Sequence, residues 1–292
     1  MKRGFRILAF AAAAALALLA VPASANDEQE SSYLALGDSY AFAYSPAVST
    51  AGRFNPANFP GYTDTVASAL ELNLTNASCP GETSGSMISG SRPDNGCQDW
   101  RDHFPLHVSY TGSQLAYAVH FLRGHHHVHL VTLQIGGNDI LTLQRTCLGV
   151  VSCIIAGLPA VEAQMAVNLN TIYLAIRHQG HYHGVIVTVP YFAFNYNDLA
   201  SAGIAKSLDD TVAAVATAHH ARVADVFGAF LAASAPTGIP CFAGLQVPRT
   251  PTPTDPSPCD IHPSLAGHAV MAKAVLAALE QDEQDQQDQH GD

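Results

Sequence analysis

The sequence predicts an α/β protein, a parallel sheet with helices on its faces. Short β-rich runs alternate along the chain with longer segments of helical periodicity. One of those runs, residues 185–189, is almost continuously β-branched, as a strand covered on both faces requires. The chain of 292 residues is long enough for one domain with a full core. It contains no internal repeat and no linker between domains.

Taken in order, residues 33–36 read as the first strand, ending in Gly37-Asp38-Ser39. Residues 62–72 read as a helix, 74–77 as a short strand and 114–122 as a helix. Residues 128–135 form a strand that ends in Gly136-Gly137. Val161, Met165, Leu169, Ile172 and Ile176 recur at helical spacing as one apolar stripe. Strand 185–189, helix 208–220 and strand 222–226 follow. Leu265, Ala269, Ala272, Leu276 and Leu279 line one face of a closing helix, with Pro263 near its start.

Two stretches break the rhythm. Residues 45–60 carry Pro, Gly and Asn with little periodicity and read as a long loop. Residues 246–258 hold five prolines, which exclude a helix or a central strand. Both loops, together with Ala41, Phe42, Tyr44 and Phe54, are expected to shape a substrate pocket.

The first residues have the layout of a secretory signal peptide. Lys2, Arg3 and Arg6 precede an apolar run over 7–21, and Ala23-Ser24-Ala25 forms a small-x-small cleavage site. The mature protein is expected to begin near Asn26, to be secreted and to fold as one domain over 26–279. No other stretch reads as a membrane span. Residues 280–292, nearly all Asp, Glu and Gln, read as a disordered acidic tail. The formal net charge is −11, with no basic cluster, which disfavours nucleic acid and anionic membranes as partners. A monomer without stable membrane insertion is expected.

Six cysteines in an exported chain suggest disulfides. Fifteen pairings are open, and the spacing favours sequential neighbours: Cys79–Cys97, Cys147–Cys153 and Cys241–Cys259. No C-x-x-C pair suggests zinc. The run His125-His126-His127, with His129, precedes a buried strand and reads as a loop, so no metal is expected.

In an open parallel sheet, chemistry sits beyond the carboxyl ends of the strands. Three segments lie there: Gly37-Asp38-Ser39, the loop 79–86, and Gly136-Gly137-Asn138-Asp139. His262, just before the closing helix, can fold back to the same rim. Ser39 supplies a hydroxyl, His262 a base, and Gly81 and Asn138 supply N–H donors where a developing oxyanion would need them. Asp139 reads as a brace for its loop. No Gly-x-Ser-x-Gly elbow, phosphate-binding glycine loop or His-Glu-x-x-His occurs.

Gly37-Asp38-Ser39-Tyr40, Gly81 in its loop, Ile135-Gly136-Gly137-Asn138-Asp139 and Asp260-Ile261-His262-Pro263, in that order, resemble the conserved blocks of the GDSL/SGNH hydrolase superfamily. The likeness is greatest to its secreted actinobacterial lipase/esterase branch, which also carries three local disulfides. The resemblance implies a three-layer α/β/α sandwich with a flavodoxin-like, five-stranded parallel sheet. It implies Ser39 as nucleophile, His262 as base, and an oxyanion hole from Ser39, Gly81 and Asn138. It further implies an acyl-enzyme mechanism on a small-molecule or lipid ester, without a cofactor. Lipase, esterase, phospholipase and sugar deacetylase all remain open. So does a non-catalytic binding protein of the same fold.

The chain departs from the family at one point. The family usually has an Asp three residues before the histidine, where this chain has Cys259. The Cys259 main-chain carbonyl, held by the expected disulfide to Cys241, is the favoured group to orient His262; the Asp260 carboxylate is the second candidate, and neither is the third.

Overall fold

A computed structural model describes residues 31–252 and 256–289, with side chains to residue 280. The expected signal segment, 1–25, lies outside the described residues. Five parallel strands form the main sheet: β1 (Ser32–Gly37), β2 (Asn73–Asn76), β3 (Val128–Gln134), β4 (Val185–Thr188) and β5 (Arg222–Val223). Their spatial order is β2-β1-β3-β4-β5, the flavodoxin-like order. Tyr33 to Leu36 and Leu130 to Leu133 are shut off from solvent, as strands with helices on both faces must be.

The helices are α1 (Ser39–Phe42), α2 (Tyr62–Ala69), α3 (Ser84–Ser89), α4 (Cys97–His103), α5 (Gln114–Gly124), α6 (Gly137–Thr146), α7 (Val151–Leu174), α8 (Leu199–Ala218), α9 (Val226–Ala233) and α10 (Leu265–Gln289). One layer joins α2, α9 and α10; the other joins α3, α5, α7 and α8. A separate antiparallel ribbon pairs β6 (Gln246–Pro248) with β7 (Cys259–Pro263). The disulfides are Cys79–Cys97, Cys147–Cys153 and Cys241–Cys259.

Several boundaries differ from the sequence reading, each for a local reason. Helix α8 begins nine residues early because Asp198 caps it, accepting from the N–H groups of Ala200 and Ser201. Helix α7 extends back to Val151 through Gly157 and Pro159. Gly157 permits this because a Cβ there would lie 2.6 Å from Leu143 of α6. Strand β5 stops at Val223 because Asp225 caps α9. The proline-rich segment is a loop only in part, since its first residues pair with β7.

One expectation needs correction, and one element runs further than its sequence pattern. Helix α10 is described to Gln289, into the segment expected as an acidic tail. Extending an existing helix costs far less than nucleating one, and Glu and Gln are good helix formers. The segment Val151–Gln179 is long and apolar enough to cross a membrane by length and composition. Its inner stripe, Met165, Leu169, Ile172 and Ile176, is buried in the core of the domain.

Three carboxyl groups are buried near the carboxyl ends of the strands: Asp38, Glu82 and Asp209. Desolvation pushes Asp38 and Glu82 up to about 7 and Asp209 up to about 8. Hydrogen bonds and, for Asp209, the Lys206 charge pull the other way. One Asp209 oxygen accepts the Tyr191 N–H at 2.9 Å, while the other has no hydrogen-bond partner among the described residues. The unfolded chain releases these protons at ordinary carboxylate pH, and the folded chain holds them longer. The stability contributed by these three groups is therefore full near pH 4, falls as pH rises to about 8 and flattens above, opposed by buried His268, whose pKa is lowered to about 3. Asp209→Asn, which keeps the carbonyl acceptor and removes the titration, should gain stability relative to wild type as pH goes from 5 to 8 in urea unfolding. An unchanged pH slope would contradict this assignment.

Candidate active site

The parallel strand order places its switch point between β1 and β3, where the connections leave in opposite directions and open a crevice. The register sets Gly37 opposite Gln134, so the two strands end level. Ser39 follows β1, and Asn138 follows β3. The turn into α1 is possible because residue 37 is glycine. Its φ is +146°, and a Cβ would meet the Gln134 carbonyl oxygen at 2.2 Å.

Buried amides hold that turn. Gln114 accepts the Gly37 N–H at 2.6 Å and donates to the Gly37 carbonyl at 2.9 Å. The Gln134 side chain accepts the Ala41 N–H, and Asn76 donates to the Ala41 carbonyl. With the backbone so fixed, the nearly buried Ser39 hydroxyl has one direction to face.

That direction is toward β7. Ser39 Oγ lies 3.0 Å from His262 Nε2, and His262 Nδ1 is hydrogen-bonded to Asp260 Oδ1. The His262 backbone N–H also donates to that oxygen, at 3.1 Å. The two-residue spacing works because β7 is extended, so residues 260 and 262 project from the same face. The Cys259 carbonyl is not at the imidazole. It accepts the Ser257 hydroxyl at 2.7 Å, and the Cys259 side chain is buried in its disulfide with Cys241. The favoured expectation is thus corrected: the group the structure brings to the ring is Asp260, not the Cys259 carbonyl. Burial raises the Asp260 pKa. The hydrogen bond and charge of His262 outweigh it, and the carboxyl ends below its ordinary value.

Tyr40 locks the strand in place. Its hydroxyl donates to the Ile261 carbonyl at 2.6 Å, between Asp260 and His262. Tyr44 packs edge-on to the imidazole, with ring centroids 4.8 Å apart.

The donors lie on the other side of Ser39. Asn138 Nδ2 donates to Asp38 Oδ2 at 3.2 Å, leaving its second hydrogen, and Asn138 Oδ1 accepts from Asn95. Gly81 has φ of +84°, and a Cβ there would lie 2.6 Å from the Asn95 carbonyl oxygen. Its carbonyl accepts the Asn95 N–H at 2.8 Å. Among the described residues, the N–H groups of Ser39 and Gly81 donate to no protein acceptor. Asp139 accepts both the N–H and the hydroxyl of Ser84, bracing the start of α3. The arrangement can remove a proton from a hydroxyl on one side and offer N–H groups to an anion on the other.

Sequence reasoning missed Tyr191, Asp38 as a positioning group, and Asn95. Tyr191 donates its hydroxyl to Asp38 Oδ2 at 2.6 Å and so orients the carboxylate that holds Asn138. Its place just past the end of β4 was a usable signal. Asn95 carries no such mark.

A cavity of about 220 Å³ opens from Ser39. Its walls are mostly apolar and come from α6, α7, α8 and the segment after β4, among them Ile140, Ile154, Phe192, Ile204 and Leu208. The two loops expected to shape the pocket contribute no lining residue among those described. Phe42 packs against Phe59 and Trp100, and Phe54 is exposed beside Phe104. These aromatics stiffen the loop after α1 and do not form the pocket wall. Cys79, Glu82 and Cys97 cluster closely enough to suggest metal ligands, but both sulfurs are spent in a disulfide.

The fold is shared with a phospholipase A1 from Streptomyces albidoflavus NA297, at 20% identity and a TM-score of 0.57, covering 85% of this chain and 99% of the other. It is shared with an extracellular lipase from Streptomyces rimosus, at 19% identity and a TM-score of 0.55, over 85% and 99% of the two chains. An acetylxylan esterase from Geobacillus stearothermophilus matches at 16% identity and a TM-score of 0.53, over 86% and 95%. No curated protein matches in sequence. Residues 35–270 match the GDSL-like lipase/acylhydrolase family, so the chain belongs to that family of carboxylic ester hydrolases.

Proposed function

We propose that the protein is a secreted lipase or esterase that cleaves esters of apolar acyl chains through an acyl-enzyme on Ser39. The observation that carries the reading is the apolar cavity that begins at the Ser39 hydroxyl, itself 3.0 Å from His262 Nε2.

In the proposed reaction, Ser39 Oγ attacks the ester carbonyl carbon while its proton passes to His262 Nε2. Asp260 holds the ring in the tautomer that accepts there and faces the positive charge that forms. The carbonyl oxygen, now an anion, takes hydrogen bonds from the Ser39 and Gly81 N–H groups and the Asn138 amide. Collapse breaks the bond to the alcohol, which leaves with the proton from His262. A water then repeats the sequence, giving up its proton to His262 and releasing the acid and free Ser39. The cavity would take the acyl chain, which favours this substrate class over an acetylated sugar. Three disulfides and the signal-like first 25 residues support secretion.

A fluorophosphonate probe should label the folded protein and fail to label Ser39→Ala. Folded wild type that takes no label would support a binding protein instead. Asp260→Asn should lower kcat by about 10³–10⁴-fold with the fold intact by circular dichroism, as loss of the orienting carboxylate does in serine triads. A loss under tenfold would return the orienting role to another group. Asn138→Ala should cost about 10²–10³-fold in kcat with little change in KM. Across nitrophenyl esters from acetyl to hexanoyl, kcat/KM should rise about threefold to fourfold per methylene, the worth of burying one CH₂. A series that falls from acetyl onward would favour the deacetylase reading.

A further inference from the structure

Next to residues that line the cavity, the fold leaves a group of apolar side chains uncovered. Leu148 is 89% exposed, Val150 54% and Ile155 53%. They sit where α6 passes into α7. Val151, between them in sequence, is half exposed and also lines the cavity, so this surface is continuous with its mouth. Across the opening, Leu199 is 86% exposed between Asp198 and Ala200, both lining residues. Isolated apolar residues on a surface need no explanation, but a group gathered at the entrance of an apolar cavity does.

The loop is built to keep these side chains outward. The Cys147–Cys153 disulfide closes it, and Leu148 stands at φ of +52°, a conformation that a large side chain rarely adopts. A free loop would fold its leucine and valines back against the protein. The charge pattern is equally particular. From Ile140 to Val161 there is no carboxylate and one cation, Arg145, in a chain that holds 24 Asp and Glu. Along this segment the repulsion that the acidic remainder would exert on a phosphate- or carbonyl-rich surface is absent, although Asp198, beside Leu199, places one carboxylate at the cavity edge.

We infer that this stapled α6–α7 loop, with Leu199 opposite, docks the enzyme on the surface of aggregated lipid esters. The occupant is a zwitterionic or uncharged lipid surface, and the acyl chain passes from it directly into the cavity. The inference deepens the ester-hydrolase reading and rests on it for the identity of what enters the cavity. Burying three or four apolar side chains at an interface gives reversible attachment, far short of insertion.

The test uses a triple variant, Leu148→Asp, Val150→Asp and Ile155→Asp, none of which lines the cavity. Wild type should float with phosphatidylcholine vesicles, and so should Ser39→Ala, which separates docking from catalysis. Its rate on an ester should climb once the substrate exceeds its solubility. The triple variant should lose at least about tenfold of vesicle binding and of the rate on aggregated ester. Its rate on dissolved nitrophenyl acetate should stay within twofold of wild type, which also reports that it is folded. Wild type that does not float, or a triple variant that floats equally well, would overturn the inference. So would a wild-type dimer in sedimentation that the triple variant converts to monomer without any vesicle binding, since the patch would then be covered by a second copy. Absence of hydrolysis of the dissolved ester by wild type would instead sink the enzymatic reading, leaving the flotation result to stand by itself.

Discussion

At the end of the first strand the backbone passes so close to its neighbour that a single methyl group would collide with a carbonyl. Gly37 leaves that space empty, and the rest of the site depends on it. The glycine lets the chain turn at once into α1, which sets Asp38 inward and Ser39 toward the crevice. Any other residue would have to push β1 away from β3, and those two strands carry Ser39 and Asn138. The two hydrogen bonds from Gln114 and those from Gln134 and Asn76 replace what a regular strand end would have satisfied through the ladder. The turn is therefore stiff although it is irregular.

From Asp38 a second chain of contacts spreads sideways. Its carboxylate joins Tyr40, Asn138 and Tyr191, and Tyr191 joins Asp209 on α8. Four elements separated by up to 171 positions along the sequence, from Asp38 to Asp209, are tied through one buried polar network. Such a network costs desolvation, which shows in the raised carboxyl pKa values, and in return it fixes side chains that packing alone would leave free to rotate. His262 is held differently. It sits on a short ribbon outside the main sheet, pinned by the Cys241–Cys259 disulfide and by the Tyr40 hydroxyl on the Ile261 carbonyl.

Much of this was legible in the sequence because it follows from local pattern. The β-branched run at 185–189 and the apolar strand 128–135 announce buried parallel strands, and the rule that chemistry lies beyond strand ends leads to Ser39 and Asn138. The cysteine spacing gave the three disulfides that the structure contains. Less legible was whatever depends on two distant segments meeting. Asn95 reaches Asn138 only through the folded loop that Cys79–Cys97 closes. The choice between Asp260 and the Cys259 carbonyl turned on whether residues 259–263 are extended. Five prolines nearby argued for irregular loop, yet the pairing with Gln246–Pro248 straightens the segment. The cavity walls were misplaced for a similar reason. Phe42 and Phe54, near Ser39 in sequence, pack away from the cavity, while most of its lining comes from segments about a hundred or more positions later.

That last separation has a consequence for how such a protein can change. The candidate catalytic groups sit on strand ends and on the ribbon, under tight backbone constraint. The cavity walls are side chains on one face each of α6, α7 and α8, where swapping one apolar residue for another alters shape and little else. Substitutions at Ile140, Ile154, Ile204 or Leu208 can thus reshape the cavity while leaving Ser39, His262 and Asn138 where they are. The division of labour between strands and helices makes substrate range an inheritable variable of its own, free to drift within a lineage whose chemistry stays constant.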